Sequence, residues 1–144
     1  MIAVDSNVLI AAHRSEHPQH SLSAAFLTEI AEGSIPWTLP VFCLGEFLRV
    51  VTHPRVLTPP SNQEVAVLFL DRLLASPTAR FLVPGPRFWP LLKESSQAAT
   101  ATGNVLFGAQ IAALCQEHGA LDLVTFDRDF ALFPRLSPRP PTVE

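Results

Sequence analysis

The chain has 144 residues, a formal net charge of −3, 48% apolar residues and 16% charged ones. That composition can fill one sizeable core, and it excludes disorder over most of the length. It also excludes a grip on nucleic acid by bulk positive charge, and no apolar run reaches the ~20 residues of a membrane span.

The start, MIAVDSN, lacks the basic segment of a secretory signal. MIAV reads as a strand buried on both faces and closed by Asp5. Helical spacing begins at Asn7, and after Pro18 a second helix carries Leu22, Ala25, Phe26 and Ile30 up to the stop at Gly33. Trp37 to Leu39 reads as a short strand between prolines, followed by a helix from Val41 to Thr52 with Phe42, Phe47, Val50 and Val51 facing inward. A further helix spans Asn62 to Ala75, with Val65, Val67, Leu68, Leu70, Leu73 and Leu74 as its apolar positions. Arg80 to Val83 is a third strand, Phe88 to about Ala101 a helix, and Leu106 to His118 a helix ended by Gly119. Leu121 to Phe126 is a fourth buried strand, and a short helical piece with Phe130 and Phe133 follows. From Ser137 the proline-rich tail is expected to be extended and loosely held.

Strands alternating with helices of this length predict an α/β domain with a mainly parallel sheet and helices on both faces. Ligands then bind beyond the carboxyl ends of the strands. The residues that close those strands include Asp5 and Asp127. Each is also a good helix N-cap, so capping and metal ligation are compatible readings. Glu46 is less expected, because it sits on the apolar stripe of VFCLGEFLRVV and needs either Arg49 or a cation as partner. Carboxylates sharing one crevice repel one another without a cation, and Mg²⁺ or Mn²⁺ prefers oxygen ligands. Such ions support phosphodiester cleavage.

Other signals are weaker. Cys43 and Cys115 lie in apolar helical patterns and are expected to be reduced, buried thiols, which fits a cytoplasmic protein. His13, His17 and His20 are expected to be solvated loop histidines rather than a zinc site, since Pro18 breaks any helical ligand face. Arg14, Arg49 and Arg128 could meet RNA phosphate or balance carboxylates. Trp37 and Trp89 are expected to pack internally. No glycine-rich phosphate loop, CxxC or GxSxG is present.

MIAVDSNVLI, the helical Glu46, TGNVLFGAQIAALCQEHGA and LVTFDRDFALF, in this order, resemble PIN-domain ribonucleases, above all the toxin half of VapBC toxin–antitoxin pairs. The resemblance covers almost the whole chain, with residues 1–136 as the domain and 137–144 as a tail. It implies a PIN-like three-layer α/β/α sandwich around a sheet of four or five strands. It also implies Mg²⁺- or Mn²⁺-dependent endoribonuclease activity, with Asp5, Glu46 and Asp127 as catalytic and metal-binding acids. A homodimer and a VapB-type antitoxin partner are implied as well.

One position departs from the family pattern: Gly108 stands where an acid is usual, and neither Gln110 nor Glu117 replaces it. Asp129 or Asn104 could supply an oxygen. Losing one carboxylate weakens divalent binding, so two readings stay open: a nuclease using three acids, or a silent domain that binds antitoxin or RNA without cutting.

Overall fold

The first strand of the chain lies in the middle of the sheet, and the site depends on that placement. The computed structural model describes residues 1–144. Its strands are β1 (Ile2–Val4), β2 (Trp37–Pro40), β3 (Ala79–Leu82), β4 (Asp122–Val124) and β5 (Ser137–Arg139). All neighbours are parallel, in the order β3-β2-β1-β4-β5. Ile2 lies opposite Trp37 on one side and Asp122 on the other. The chain therefore winds outward from β1 in both directions, and the switch in direction falls between β1 and β4. Open α/β sheets bind ligands at such a switch.

Six helices cover the faces: α1 (Ser6–His13), α2 (His20–Glu32), α3 (Val41–Val51), α4 (Gln63–Leu74), α5 (Phe88–Ala98) and α6 (Val105–His118). A 3-10 turn, Arg128–Leu132, follows β4. Side chains alternate across a strand, and the core divides accordingly. Val4, Leu39 and Val124 pack with α1, α2, α3 and α4, whereas Ala3, Leu82 and Leu123 pack with α6, Phe130 and Phe133. The result is the three-layer α/β/α sandwich expected from the sequence. No helix is long and apolar enough to cross a membrane.

Gly119 closes α6 with φ of 70°, the left-handed conformation that makes glycine a good stop. The same end of α6 is tied to the segment between β3 and α5 by Glu117. Its carboxylate accepts the backbone N–H groups of Gly85 (2.7 Å) and Arg87 (2.8 Å), and the Arg87 guanidinium donates to the Glu117 carbonyl. Burial alone would push the Glu117 carboxyl up, but these N–H groups, with His118 and Arg87, hold it below the usual range.

Four local expectations need correction. On α4 the buried residues are Ala66 and Leu70, while Val65, Val67 and Leu68 are exposed. The tail is not loose: Ser137, Pro138 and Arg139 pair with Asp122, Leu123 and Val124, and Arg139 grips Asp122 at 2.7 and 3.0 Å. Pro138 is compatible because β5 is an edge strand. Trp37 is buried as expected, but Trp89 is 62% exposed, with Lys93 Nζ 5.5 Å from its ring. His13 is no solvated loop residue: it ends α1, bonds Ser61 at 2.8 Å and packs edge-on against Phe47 and Phe69.

Candidate functional site

Asp5 ends β1 and caps α1, with the Ser6 backbone N–H donating to its Oδ1 at 2.7 Å. The other oxygen, Oδ2, accepts the Thr125 hydroxyl at 2.7 Å and the Asn7 amide at 3.1 Å. Cys43 places its thiol 3.7 Å from Oδ1. The carboxylate is only 4% exposed. Burial pushes its pKa up, Thr125 and Ser6 pull it down, and the charge of Glu46 pushes it up again. Asp5 is thus a helix cap, and its carboxylate also belongs to the cleft lining.

Thr125 links the two central strand ends. Besides donating to Asp5, its oxygen accepts the Asp127 backbone N–H at 3.0 Å and the Asn7 amide at 3.1 Å. Asn7 Oδ1 in turn accepts the Phe126 N–H at 3.2 Å. This buried network fixes Asp127 relative to Asp5 across the sheet. Asp127 also caps the 3-10 turn, accepting the Asp129 N–H at 2.9 Å. Thr125 was missed in the sequence; the available signal was a polar residue interrupting the run from Leu121 to Phe126 at the sheet's ligand-binding end.

Asp5, Glu46 and Asp127 line one open cleft of about 700 Å³, walled by α3 on one side and the start of α6 on the other. Glu46 forms no ion pair with Arg49, although both line this cleft. Gly108 lines it too, together with Asn104, Phe107 and Gln110. Asp129 lies outside, on an adjoining cavity of about 100 Å³ that shares Asn104, Gly108 and Asp127 with the cleft. Asp129 is therefore adjacent to the acids without joining them. A Cβ on Gly108 would sit 3.3 Å from Phe133 Cε2, a close but not blocked approach.

The remaining sequence candidates disperse. Arg14 is bound to Glu16, Ser61 and the Pro59 carbonyl, away from the cleft. Arg128 faces a separate hollow beside β5. His17 and His20 bond backbone groups of Gln19 and Ala11, so the three histidines share no centre. Both cysteines are buried free thiols, with burial pushing Cys115 up to about 12 and Cys43 higher than usual.

The donors around the cleft are oxygens, as a hard divalent ion requires. The charge of Glu46, which pushes the Asp5 carboxyl up, is what a cation would offset. No three carboxylate, imidazole or thiol groups already converge at ligand distance. The carboxylates could supply only part of such an ion's shell, and water and a substrate phosphate would have to complete it.

Residues 2–136 match the family model described as PIN domain. The chain is 39% identical over 141 residues to VapC ribonuclease Mb2897 of Mycobacterium bovis, covering 98% of this chain and 95% of the relative. Ribonuclease VapC31 of Mycobacterium tuberculosis is 35% identical, with 92% and 93% covered. Among solved structures, VapBC2 from Rickettsia felis bound to a promoter DNA fragment superposes with a TM-score of 0.68 at 20% identity, covering 99% of this chain and 100% of that one. VapC20 of Mycobacterium tuberculosis, a sarcin-ricin loop cleaving toxin, gives 0.63 at 15% identity, with 94% and 98% covered.

Proposed function

The chain belongs to the PIN-domain family, and from that premise we propose that it is a Mg²⁺- or Mn²⁺-dependent endoribonuclease of the VapC kind, the toxin of a VapBC pair. One observation carries the reading: Asp5, Glu46 and Asp127, from three different elements, line one cleft at the switch point of the sheet. The names of the full-length relatives support ribonuclease as the reaction class.

Asp5 and Asp127 would hold the ion, with Glu46 completing the shell or orienting the attacking water. When bound, the ion supplies charge neutralisation at the phosphodiester and activation of water near neutral pH. The chain's own contribution is positional. Thr125 and Asn7 hold Asp5 and the Asp127 turn in fixed relation, so neither acid must be ordered when RNA arrives. Glu46, without an ion pair, leaves its carboxylate available to the shell or to the attacking water. Arg49 on the cleft wall is placed to meet an RNA phosphate.

Gly108 supports a second reading, a domain that binds antitoxin or RNA without cutting, because the cleft has three acids rather than four. A VapB-type antitoxin, a homodimer and a cytoplasmic location belong to the proposal. The VapBC neighbour supports the antitoxin partner.

The test is incubation with structured RNAs in Mg²⁺ and in Mn²⁺, beside Gly108→Asp and Asp5→Ala. Cleavage by the native chain that Asp5→Ala abolishes supports the enzyme. Cleavage by Gly108→Asp alone makes the native chain a binding form. Equal cleavage by Asp5→Ala sinks the site assignment.

A further inference from the structure

The acids account for only one part of the cleft. Its α6 wall presents Asn104, Phe107, Gly108 and Ile111, spaced i, i+3, i+4 and i+7 on one helical face. Ile111 is buried at the base, but Phe107 is 63% exposed. The other two phenyl rings of the cleft have aromatic partners: Phe42 lies 6.0 Å from Phe88, and Phe130 5.9 Å from Phe133. Phe107 has none.

The polar groups around that ring are equally uncommitted. Asn104 and Gln110 flank it one turn to either side, and both line the cleft. Neither amide is tied up in a side-chain hydrogen bond, unlike Gln116 further along α6, which bonds Ser95 and Pro134. On the opposite wall Gly45 leaves open space, with no heavy atom within 4 Å of where a Cβ would stand. Arg49 follows one turn after Gly45 with no ion-pair partner.

We infer that Phe107 is the platform on which one unstacked RNA base lies, with Asn104 and Gln110 at its edge and Arg49 at its phosphate, next to the acid cluster. The inference rests on the ribonuclease reading and adds to it which side chains hold the base beside the acids. A flat exposed ring between two free amides suits a base, which offers a π-face and a hydrogen-bonding edge together. A stacked A-form helix presents no such face. An apolar peptide side chain would use the ring but leave both amides and the guanidinium unanswered.

The experiment uses the full chain, Ca²⁺ in place of Mg²⁺, and RNA hairpins carrying 2-aminopurine at successive loop positions. Anisotropy gives affinity and 2-aminopurine fluorescence reports stacking, with gels confirming that the RNA stays intact. Phe107→Leu keeps an apolar side chain without a π-face, and Phe107→Tyr keeps the face; both sit at an exposed position. Expected is quenching at one loop position by the native chain and Phe107→Tyr. Phe107→Leu should lose that quenching and bind roughly 5- to 150-fold more weakly. Gln110→Ala should shift base preference at that same position. Native-like affinity and quenching in Phe107→Leu overturn the inference while leaving the nuclease reading intact. A native chain that neither binds these RNAs nor cuts any in Mn²⁺ overturns both.

Discussion

Thr125 donates its hydroxyl proton to Asp5 Oδ2 at 2.7 Å, and the same oxygen accepts the Asp127 backbone N–H at 3.0 Å. One hydroxyl thus serves an acid at the end of β1 and the backbone of an acid beyond β4. Thr125→Val keeps the shape, removes these two bonds and the one from the Asn7 amide, and leaves a buried carboxylate short of a donor. Expected is a loss of about 1–3 kcal/mol in urea unfolding, with weaker Mn²⁺ binding by titration calorimetry. Thr125→Ser should restore both. A valine variant that matches the native chain in both measurements would show the link to be idle.

Gly108→Asp adds a fourth carboxylate to the cleft. Its Cβ meets Phe133 Cε2 at 3.3 Å, so the ring must yield by a few tenths of an ångström. Thermal unfolding should therefore change by no more than about 1 kcal/mol. Mn²⁺ affinity should rise on the order of tenfold, because ligand charge sets affinity at such sites. An unchanged affinity would mean that residue 108 does not reach the ion.

Glu117 gives stability a pH dependence of known sign. Its folded-state pKa is lowered, because the Gly85 and Arg87 N–H groups, with His118 and Arg87, outweigh burial. The native state then binds that proton less tightly than the unfolded chain does. The contribution is full above the ordinary glutamate range and is lost as pH falls through the lower folded value. Glu117→Gln should lower the melting temperature by several degrees at neutral pH, with the gap closing in acid. A gap independent of pH would assign the effect to shape rather than charge.

Removing residues 137–144 would strip β5 from the sheet. It would cut the bonds from Ser137 N to the Leu121 carbonyl and from Thr125 N to the Arg139 carbonyl, and the Arg139–Asp122 pair. The expected cost is ~2–4 kcal/mol, with RNA binding weakened through Thr125. Full stability in the shortened chain would return the tail to the loose status its prolines suggested.

How much of this could be read from residues alone differs from element to element. The strands around Asp5 and Asp127 were legible because short apolar runs closed by an acid have few alternatives in an α/β chain. Glu46 was legible because a carboxylate on an apolar stripe needs a reason. The inward face of α4 was not, since Val65, Val67, Leu68 and Leu70 point around the helix and only packing chose Ala66 and Leu70. Pro138 disguised β5, because an edge position is a property of the sheet, not of the segment. Thr125 stands out in the sequence only as a polar residue at a strand end, and its role as an anchor is hidden because its partner is 120 positions away. Phe107 carries no signal of its own in the sequence, because packing alone decides which apolar residue of α6 stays exposed.

The central position of β1 also sets an order in time. Asp5 leaves the ribosome 120 residues before its partner Thr125. At ~5–20 residues per second, roughly 6–24 s of synthesis separate the two. Through most of that interval β1 has no β4 beside it, and the α6 wall is made only in its last part. A nascent chain therefore carries the first acid without an assembled cleft until β4 and the Asp127 turn have been made.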